Sequence, residues 1–400
     1  MPMTVVYALD PLPETIVESL FLAGPTPRSS DVPSWRKEAL QILEGAGYQG
    51  VVFVPEARAE NPWDEKNWTP QVEWERKCLD IADQIVFWVP RDMATMPALT
   101  TNVELGRYVP HDKLVFGAPT EAVHVKYLQK MVRDELGGLR NYTLESTLFE
   151  ALDNLNYLKS RVSSGTTRAG GQRYVPLHVW TTPMFQSWHK AHEAVGNRLD
   201  EAKLLWVFRA PKAGNVFSYA LWVKVWIESE QRFKENEFML ARTDISAVVL
   251  YGPVQDPVQD TEVVLVKEFR SPVRNSECIV HELAGGSSFK PDQNPAQVAA
   301  DEVHEETGIV LSPERLRLLG ARQIAGTLSS HQAHVFAAEL TEQEMATAKQ
   351  VAQRHTVFGN EEDSERTYLE VVTLKDLLSR DHADWSNVGM ITQALLSSGQ

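Results

Sequence analysis

Apolar residues follow two rhythms along this chain, and the change between them organises it. In the first third, short apolar runs alternate with stretches of helical spacing. The run "ESLFLAGPTPR" (18–28) ends in a Gly-Pro turn, "SWRKEALQILEGAGY" (34–48) has helical periodicity and a glycine stop, and "GVVFVPE" (50–56) reads as a buried strand. "VEWERKCLDIAD" (72–83) is helical again, and strands follow in "QIVFWVPRD" (84–92) and "KLVFGAP" (113–119). Short β-rich runs separated by helices predict a parallel sheet covered on both faces. In such α/β folds ligands bind beyond the carboxyl ends of the strands. The amphipathic stretch "LESTLFEALDNLNYLKSRV" (144–162) predicts a long helix closing this domain.

The small, polar, Gly-rich segment "SSGTTRAGGQR" (163–173) reads as a linker. Beyond it the strands lengthen and several alternate: "KLLWVFRAP" (203–211), "NVFSYALWVKVWIES" (215–229), "ISAVVLYGP" (245–253) and "TEVVLVKEFRSP" (261–272). A helix over about 295–307, a strand over about 331–340 and further helical material follow, an α+β pattern distinct from the first. The expected organisation is a domain at 1–162, a linker at 163–173 and a second domain at 174–400. The aromatic-rich stretch 174–202 reads as packing or as a homodimer surface rather than as a ligand site.

Composition narrows the partners. The 400 residues are 43% hydrophobic and 23% charged, enough for two or three domains with sizeable cores. A formal net charge of -15 disfavours broad polyanion binding, so no nucleic-acid partner is expected. It fits a small ligand whose phosphates meet a metal or local arginines. The two cysteines, Cys78 and Cys278, have no ligand-like spacing, so neither a disulfide framework nor a zinc site is expected. No apolar run reaches the length of a membrane span and no signal pattern opens the chain, which predicts a cytoplasmic protein without a membrane partner.

Candidate chemistry appears first in "DEVHEETGI" (301–309). Asn294-Pro295 is a good helix opening and Gly308 a natural stop. Glu302, Glu305 and Glu306 then fall at i, i+3 and i+4 and share one face, where like charges repel unless a divalent cation joins them. Oxygen ligands of this kind suit Mg²⁺ or Mn²⁺. Together with the preceding turn, "HELAGGSSFKPDQNPAQVAADEVHEETGIVL" (281–311) resembles the Nudix box, G-x5-E-x7-R-E-U-x-E-E-x-G-U. The lead-in "VVLVKEFRSPV…HELAGG" is similar to the ADP-ribose pyrophosphatase branch, and the resemblance covers roughly 245–375. It implies an α/β/α sandwich in which Glu302 and Glu306 ligate the metal, Glu305 ligates or orients, and the Ala284 carbonyl contributes. It also implies a catalytic Glu on a late loop, for which Glu361, Glu362 and Asp363 are candidates, and a phosphate clamp at Arg270 or Arg274. Three positions depart from the pattern: Leu283 replaces a proline, Asp301 an arginine, and Asp292 or Gln293 falls nearest the early box Glu.

The second candidate is "TTNVELGRY" (100–108), a Thr/Asn-rich loop leading into a helix predicted to start near Val103. Glu104 then stands at the mouth of the sheet, where a carboxylate can attack C1′ of a sugar as the base departs. Asp83, before the strand "QIVFWV", is expected at the same rim. With "LFLAGPTPR", "PSW" and "WERKCLDIADQIVFWVPRD", this segment resembles the nucleoside 2-deoxyribosyltransferase-like proteins over roughly 18–125. The resemblance implies a flavodoxin-like or Rossmann-like domain with Glu104 as nucleophile and Asp83 contacting substrate. Gly24, Pro25, Thr26 and Asn102 would shape the pocket; apart from the resemblance, Thr26, Arg28, Ser29 and Ser30 suit a 5′-phosphate if the substrate is a nucleotide, and otherwise read as a solvated loop. The classical transferases carry a further Asp where this chain has Ala98, with Asp92 the nearest substitute.

The expectation is a two-domain fusion: Mg²⁺-dependent cleavage of a nucleoside diphosphate of the ADP-ribose type, beside cleavage or transfer at an N-glycosidic bond. A nucleotide or dinucleotide is the expected substrate, and an NAD-like one suits both steps. The alternative is a nucleotide-binding sensor in which one domain is catalytically inactive.

Overall fold

The computed structural model describes residues 2–29, 31–58, 68–137, 141–161, 165–209, 216–287, 293–359 and 365–398. The chain divides into two units, Met1–Ala241 and Arg242–Gln400.

The first unit contains β1 (Thr4–Tyr7), β2 (Thr15–Ile16), β3 (Ser19–Ala23), α1 (Trp35–Gly45), β4 (Val51–Val54) and α2 (Thr69–Ile81). Then come β5 (Gln84–Trp88), α3 (Leu99–Tyr108), β6 (Leu114–Gly117), α4 (Lys126–Leu136) and α5 (Leu144–Ser160). Five strands form a parallel sheet in the order β1-β4-β3-β5-β6. Successive side chains on a strand point to opposite faces. Leu20 and Leu22 therefore enter one core with residues of α1 and α5, while Phe21 and Ala23 enter the other with residues of α2 and α3. Burial on both faces explains why these strands read as continuous apolar runs. Side chains cap the helices where the sequence offers them: Ser34 Oγ accepts from the Arg36 N–H at 3.2 Å, and Thr143 Oγ1 from the Ser146 N–H at 3.1 Å.

The expected boundary at 163–173 lies inside this unit. Residues 168–169 form β7 (Arg168–Ala169), which pairs antiparallel with β2. Beyond it lie α6 (Leu177–Trp180), α7 (Pro183–Ala194), β8 (Arg198–Arg209), β9 (Val216–Ile227) and β10 (Arg232–Arg242), the strands in the order β10-β9-β8. Leu177, Val179, Phe185, Leu199 and Leu221 share one core with Leu20 and Leu148. Gly-rich composition marks local chain freedom; it does not say what the apolar residues on either side pack against. The aromatic stretch is part of that packing, with the Trp180 and Phe185 ring centroids 5.4 Å apart.

The second unit contains β11 (Ile245–Tyr251), β12 (Glu262–Phe269), β13 (Ile279–Glu282), β14 (Ala284–Gly286), α8 (Pro295–Thr307) and β15 (Arg317–Gln323). It ends with β16 (Gln332–Glu339), α9 (Glu342–Gln353), β17 (Tyr368–Thr373), α10 (Leu374–Ser379) and α11 (Trp385–Leu396). In its mixed sheet β11 runs parallel to β16 and antiparallel to β12 and β14. Val248 and Leu250 pack on one face with residues of α8 and α9; Ala247 and Val249 pack on the other with residues of α10 and α11. Among the described residues no helix is long and apolar enough to cross a membrane.

Candidate active site

The loop after β3 is held in a shape that only glycine permits at its first position. Gly24 has φ +146°, and a Cβ there would lie 2.1 Å from the Trp88 carbonyl oxygen at the end of β5. Arg36, in the first turn of α1, is 1% exposed and binds this loop from below. Its Nε donates to the Leu22 carbonyl at 3.0 Å and Nη2 to the Gly24 carbonyl at 2.7 Å. Nη1 donates to Thr26 Oγ1 at 3.2 Å and to Glu56 Oε1 at 2.8 Å. The Trp35 indole N–H adds a bond to the Pro25 carbonyl at 3.1 Å. A buried guanidinium thus fixes the backbone beside the strand ends.

That loop borders a cleft of about 290 Å³, also lined by Pro55, Glu75, the segment Pro97–Thr100 and Glu104. The cleft lies at the carboxyl ends of β3 and β4, where the parallel sheet predicts a ligand. The helix that carries Glu104 begins at Leu99 rather than near Val103, after Ala98 in the left-handed conformation at φ 56°. Glu104 therefore sits in the second helical turn. Burial, and then the neighbouring Glu75, push its carboxyl up to about 7, against the pull of Arg36. Burial also raises Glu75, opposed by its bond from Gln71 and by Arg36. Two carboxyls that resist ionisation face one cleft.

Gly24, Pro25, Thr26 and Glu104 meet at this cleft as expected, but three other expectations change. Asp83 precedes β5 and so lies at the amino end of the sheet, opposite the cleft. It is fully buried and accepts from Arg168 Nη1 at 2.7 Å and Nη2 at 2.6 Å, from Ser19 Oγ at 3.0 Å and from the Leu177 N–H at 2.8 Å. Asn102 turns its Oδ1 to the Arg91 guanidinium and does not line the cleft. Asp92 does not replace the acid missing at Ala98: its Oδ1 accepts from the N–H groups of Ala94 and Thr95, closing its own exposed loop. Ser30 lies outside the described residues.

Sequence reasoning missed Arg36 and Glu75. Arg36 was legible only as a charge two residues past a helix cap. Glu75 was one of several charges in "VEWERKCLDIAD", and only the fold turns it toward Glu104.

Residues 17–122 match the family model described as nucleoside 2-deoxyribosyltransferase like. This part of the chain is deoxyribosyltransferase-like. The matched segment runs from β3 through β6 and carries Gly24, Arg36, Glu75 and Glu104. No curated protein matches the chain.

The second unit carries another group of acids. Asn294 caps α8, its Oδ1 accepting from the Ala296 N–H at 3.0 Å, and Gly308 ends the helix at φ 72°. Glu306 is 4% exposed, and its Oε2 accepts from the Gly285 N–H at 2.9 Å. Glu302 packs against Gly286, where a Cβ would lie 2.5 Å from its Oε1. Burial raises Glu302 to about 7, reinforced by Glu305, Glu365 and Asp301. Burial likewise drives Glu306 well up, with Glu302, Glu365 and Glu282 adding to it against the Gly285 bond.

Glu305 is exposed, so Glu302 and Glu306 form the inward pair without it. Ala284 opens β14, opposite Val248. Arg270 is not a free clamp: its guanidinium lies 2.8 Å from Glu268, and 3.5 Å from both Glu282 and Glu365. Asp301 is exposed and accepts from Gln297 Nε2 at 2.7 Å, directed along the helix rather than toward the pair. Glu361, Glu362, Asp363 and Asp292 lie outside the described residues. Glu268, Glu282 and Glu365 were not singled out from sequence, because only folding brings Glu282 and Glu365 to the acids of α8, and Glu268 to Arg270 beside them.

Proposed function

We propose that the first unit cleaves, or transfers at, the N-glycosidic bond of a nucleoside or nucleotide, with Glu104 as nucleophile. The observation that carries this reading is Glu104 and Glu75 facing one cleft inside the segment that matches the transferase-like family. The ionised Glu104 carboxylate attacks C1′ and the bond to the base breaks. The electron pair of that bond leaves with the base, which takes its proton from water, and Glu75 acts on the nucleophile as a neighbouring like charge. Water or a second base then takes the sugar from Glu104, restoring the carboxylate. Arg28 and Thr26 at the rim suit a 5′-phosphate.

For the second unit we propose Mg²⁺-dependent cleavage of a nucleoside diphosphate linkage, the Nudix-type reaction, on an ADP-ribose-like substrate. Support comes from the sheet between two helical layers and from half-buried Glu302 and buried Glu306, whose mutual repulsion a cation would relieve. This all-oxygen donor set fits Mg²⁺ or Mn²⁺, held by Glu302 and Glu306. Once bound, such an ion neutralises phosphate oxygens and acidifies a water. Arg270, anchored by Glu268, holds its charge beside these acids. An NAD-like dinucleotide would serve both units in turn.

Chromatography of products from a panel of nucleosides, nucleotides and dinucleotides tests both halves. Base release is expected to vanish in Glu104→Ala alone, and diphosphate cleavage in Glu306→Gln alone. Base release that survives Glu104→Ala overturns the first assignment, and diphosphate cleavage independent of Mg²⁺ overturns the second.

A further inference from the structure

We propose that Glu277, His281 and His382 form a site for a divalent transition metal of the zinc class, apart from the acids of α8. One donor atom from each lies within 4.8 Å of the other two. Glu277 Oε2 stands 3.8 Å from His281 Nε2, and Glu277 Oε1 stands 3.7 Å from His382 Nε2. Bonds of about 2.0–2.1 Å to a tetrahedral ion hold neighbouring donors roughly 3.3 Å apart, so closure asks for about half an ångström in these two pairs and at most about 1.5 Å within the set.

His281 supplies the second observation. Its side chain is 3% exposed, and its buried Nε2 has no hydrogen-bond partner among the described residues. The other ring nitrogen, Nδ1, lies 2.5 Å from Glu370 Oε2. A carboxylate on Nδ1 keeps the proton there and turns the Nε2 lone pair outward, the arrangement that orients metal-bound histidines. A buried nitrogen left without a partner is costly, and an ion between the two rings removes that cost. The rings are already together, with centroids 4.8 Å apart.

The backbone holds this pairing. The His281 N–H donates to the His382 carbonyl at 3.3 Å, and Asn275 Nδ2 donates to the same carbonyl at 3.3 Å and to the Ile279 carbonyl at 2.7 Å. Asp381 Oδ1, 3.6 Å from His382 Nε2, is placed to supply a fourth ligand directly or through water. Two imidazoles and a carboxylate favour zinc, nickel or copper over magnesium. Cysteine spacing gave no hint of this site because no cysteine takes part. It is independent of the proposed function.

Calorimetric titration of the metal-stripped full chain with Zn²⁺, in excess Mg²⁺ to occupy oxygen-only sites, tests the proposal. One Zn²⁺ per chain is expected. His382→Gln and Glu277→Gln should each weaken it at least tenfold, Glu370→Gln should weaken it about tenfold through the orientation of His281, and Glu302→Gln should leave it unchanged. Circular dichroism confirms that each variant is folded. Absence of Zn²⁺ uptake by the wild-type chain overturns the proposal, as does undiminished uptake in both folded His382→Gln and Glu277→Gln.

Discussion

Arg168 grips Asp83 through two parallel hydrogen bonds of 2.7 and 2.6 Å, with both side chains closed off from solvent. The pair ties β7 to the amino end of β5. Removing one partner strands the other charge in the interior, at a cost of about 3–5 kcal/mol. Asp83→Asn is therefore expected to lower the denaturation midpoint sharply in urea, while the folded fraction keeps its base-releasing activity. A variant that unfolds like wild type yet loses that activity would return Asp83 to the chemistry.

Glu104 is held near 7, well above the 4.5 of a free glutamate. Between about pH 4.5 and about pH 7 the folded state keeps a proton that the unfolded chain has released, so this group's stabilising contribution fades as pH rises. Glu104→Gln removes that penalty. The variant should match wild type in stability near pH 4 and exceed it near pH 8 by on the order of 1–3 kcal/mol. Its rate of base release should fall by at least about 10²-fold. Thermal denaturation across this range, with the product assay alongside, checks both; an equal stability gap at the two ends would remove the titration argument.

Glu75 is among the groups that raise Glu104. In the pH profile of base release the rising limb reports ionisation of the nucleophile. Glu75→Gln should move that limb to lower pH, because a like charge has gone. A limb that stays in place would show that the two carboxyls do not communicate.

For the second unit, Mg²⁺ at millimolar levels should raise the melting temperature of the wild-type chain, since binding to the folded state alone stabilises it. The rise should be largely absent in Glu302→Gln and in Glu306→Gln. Differential scanning fluorimetry with and without Mg²⁺ measures it. An equal rise in all three proteins would place the ion elsewhere.

The parallel sheet could be read from the chain because strands buried on both faces carry their own signature, and runs such as "GVVFVPE" have few other structures open to them. Glu104 was legible for another reason: a Thr/Asn-rich loop leads into its helix, in a segment that resembles the transferase-like proteins. Asp83 was misplaced because it precedes its strand, while ligands gather beyond the carboxyl ends. Chain direction settles that point, and Arg168, 85 positions further on, settles its role. Glu75, Glu268, Glu282 and Glu365 act through neighbours brought by folding, and His281 pairs with a histidine about a hundred residues away in sequence. The linker expectation failed for the same reason, since Leu177 and Leu221 complete a core begun at Leu20.

Arg36 spends its donors on carbonyls and side chains of its own protein, and this divides the cleft rim into two kinds of position. The backbone from Leu22 to Thr26 is a frame assembled without help from any ligand. Arg28 is the outward side chain on it and can be exchanged without disturbing the support beneath, whereas the Thr26 hydroxyl is itself held by Arg36. Substrate preference can therefore drift or be redirected at Arg28, while Gly24, Thr26 and Arg36 mark the places where change ends the site rather than retunes it.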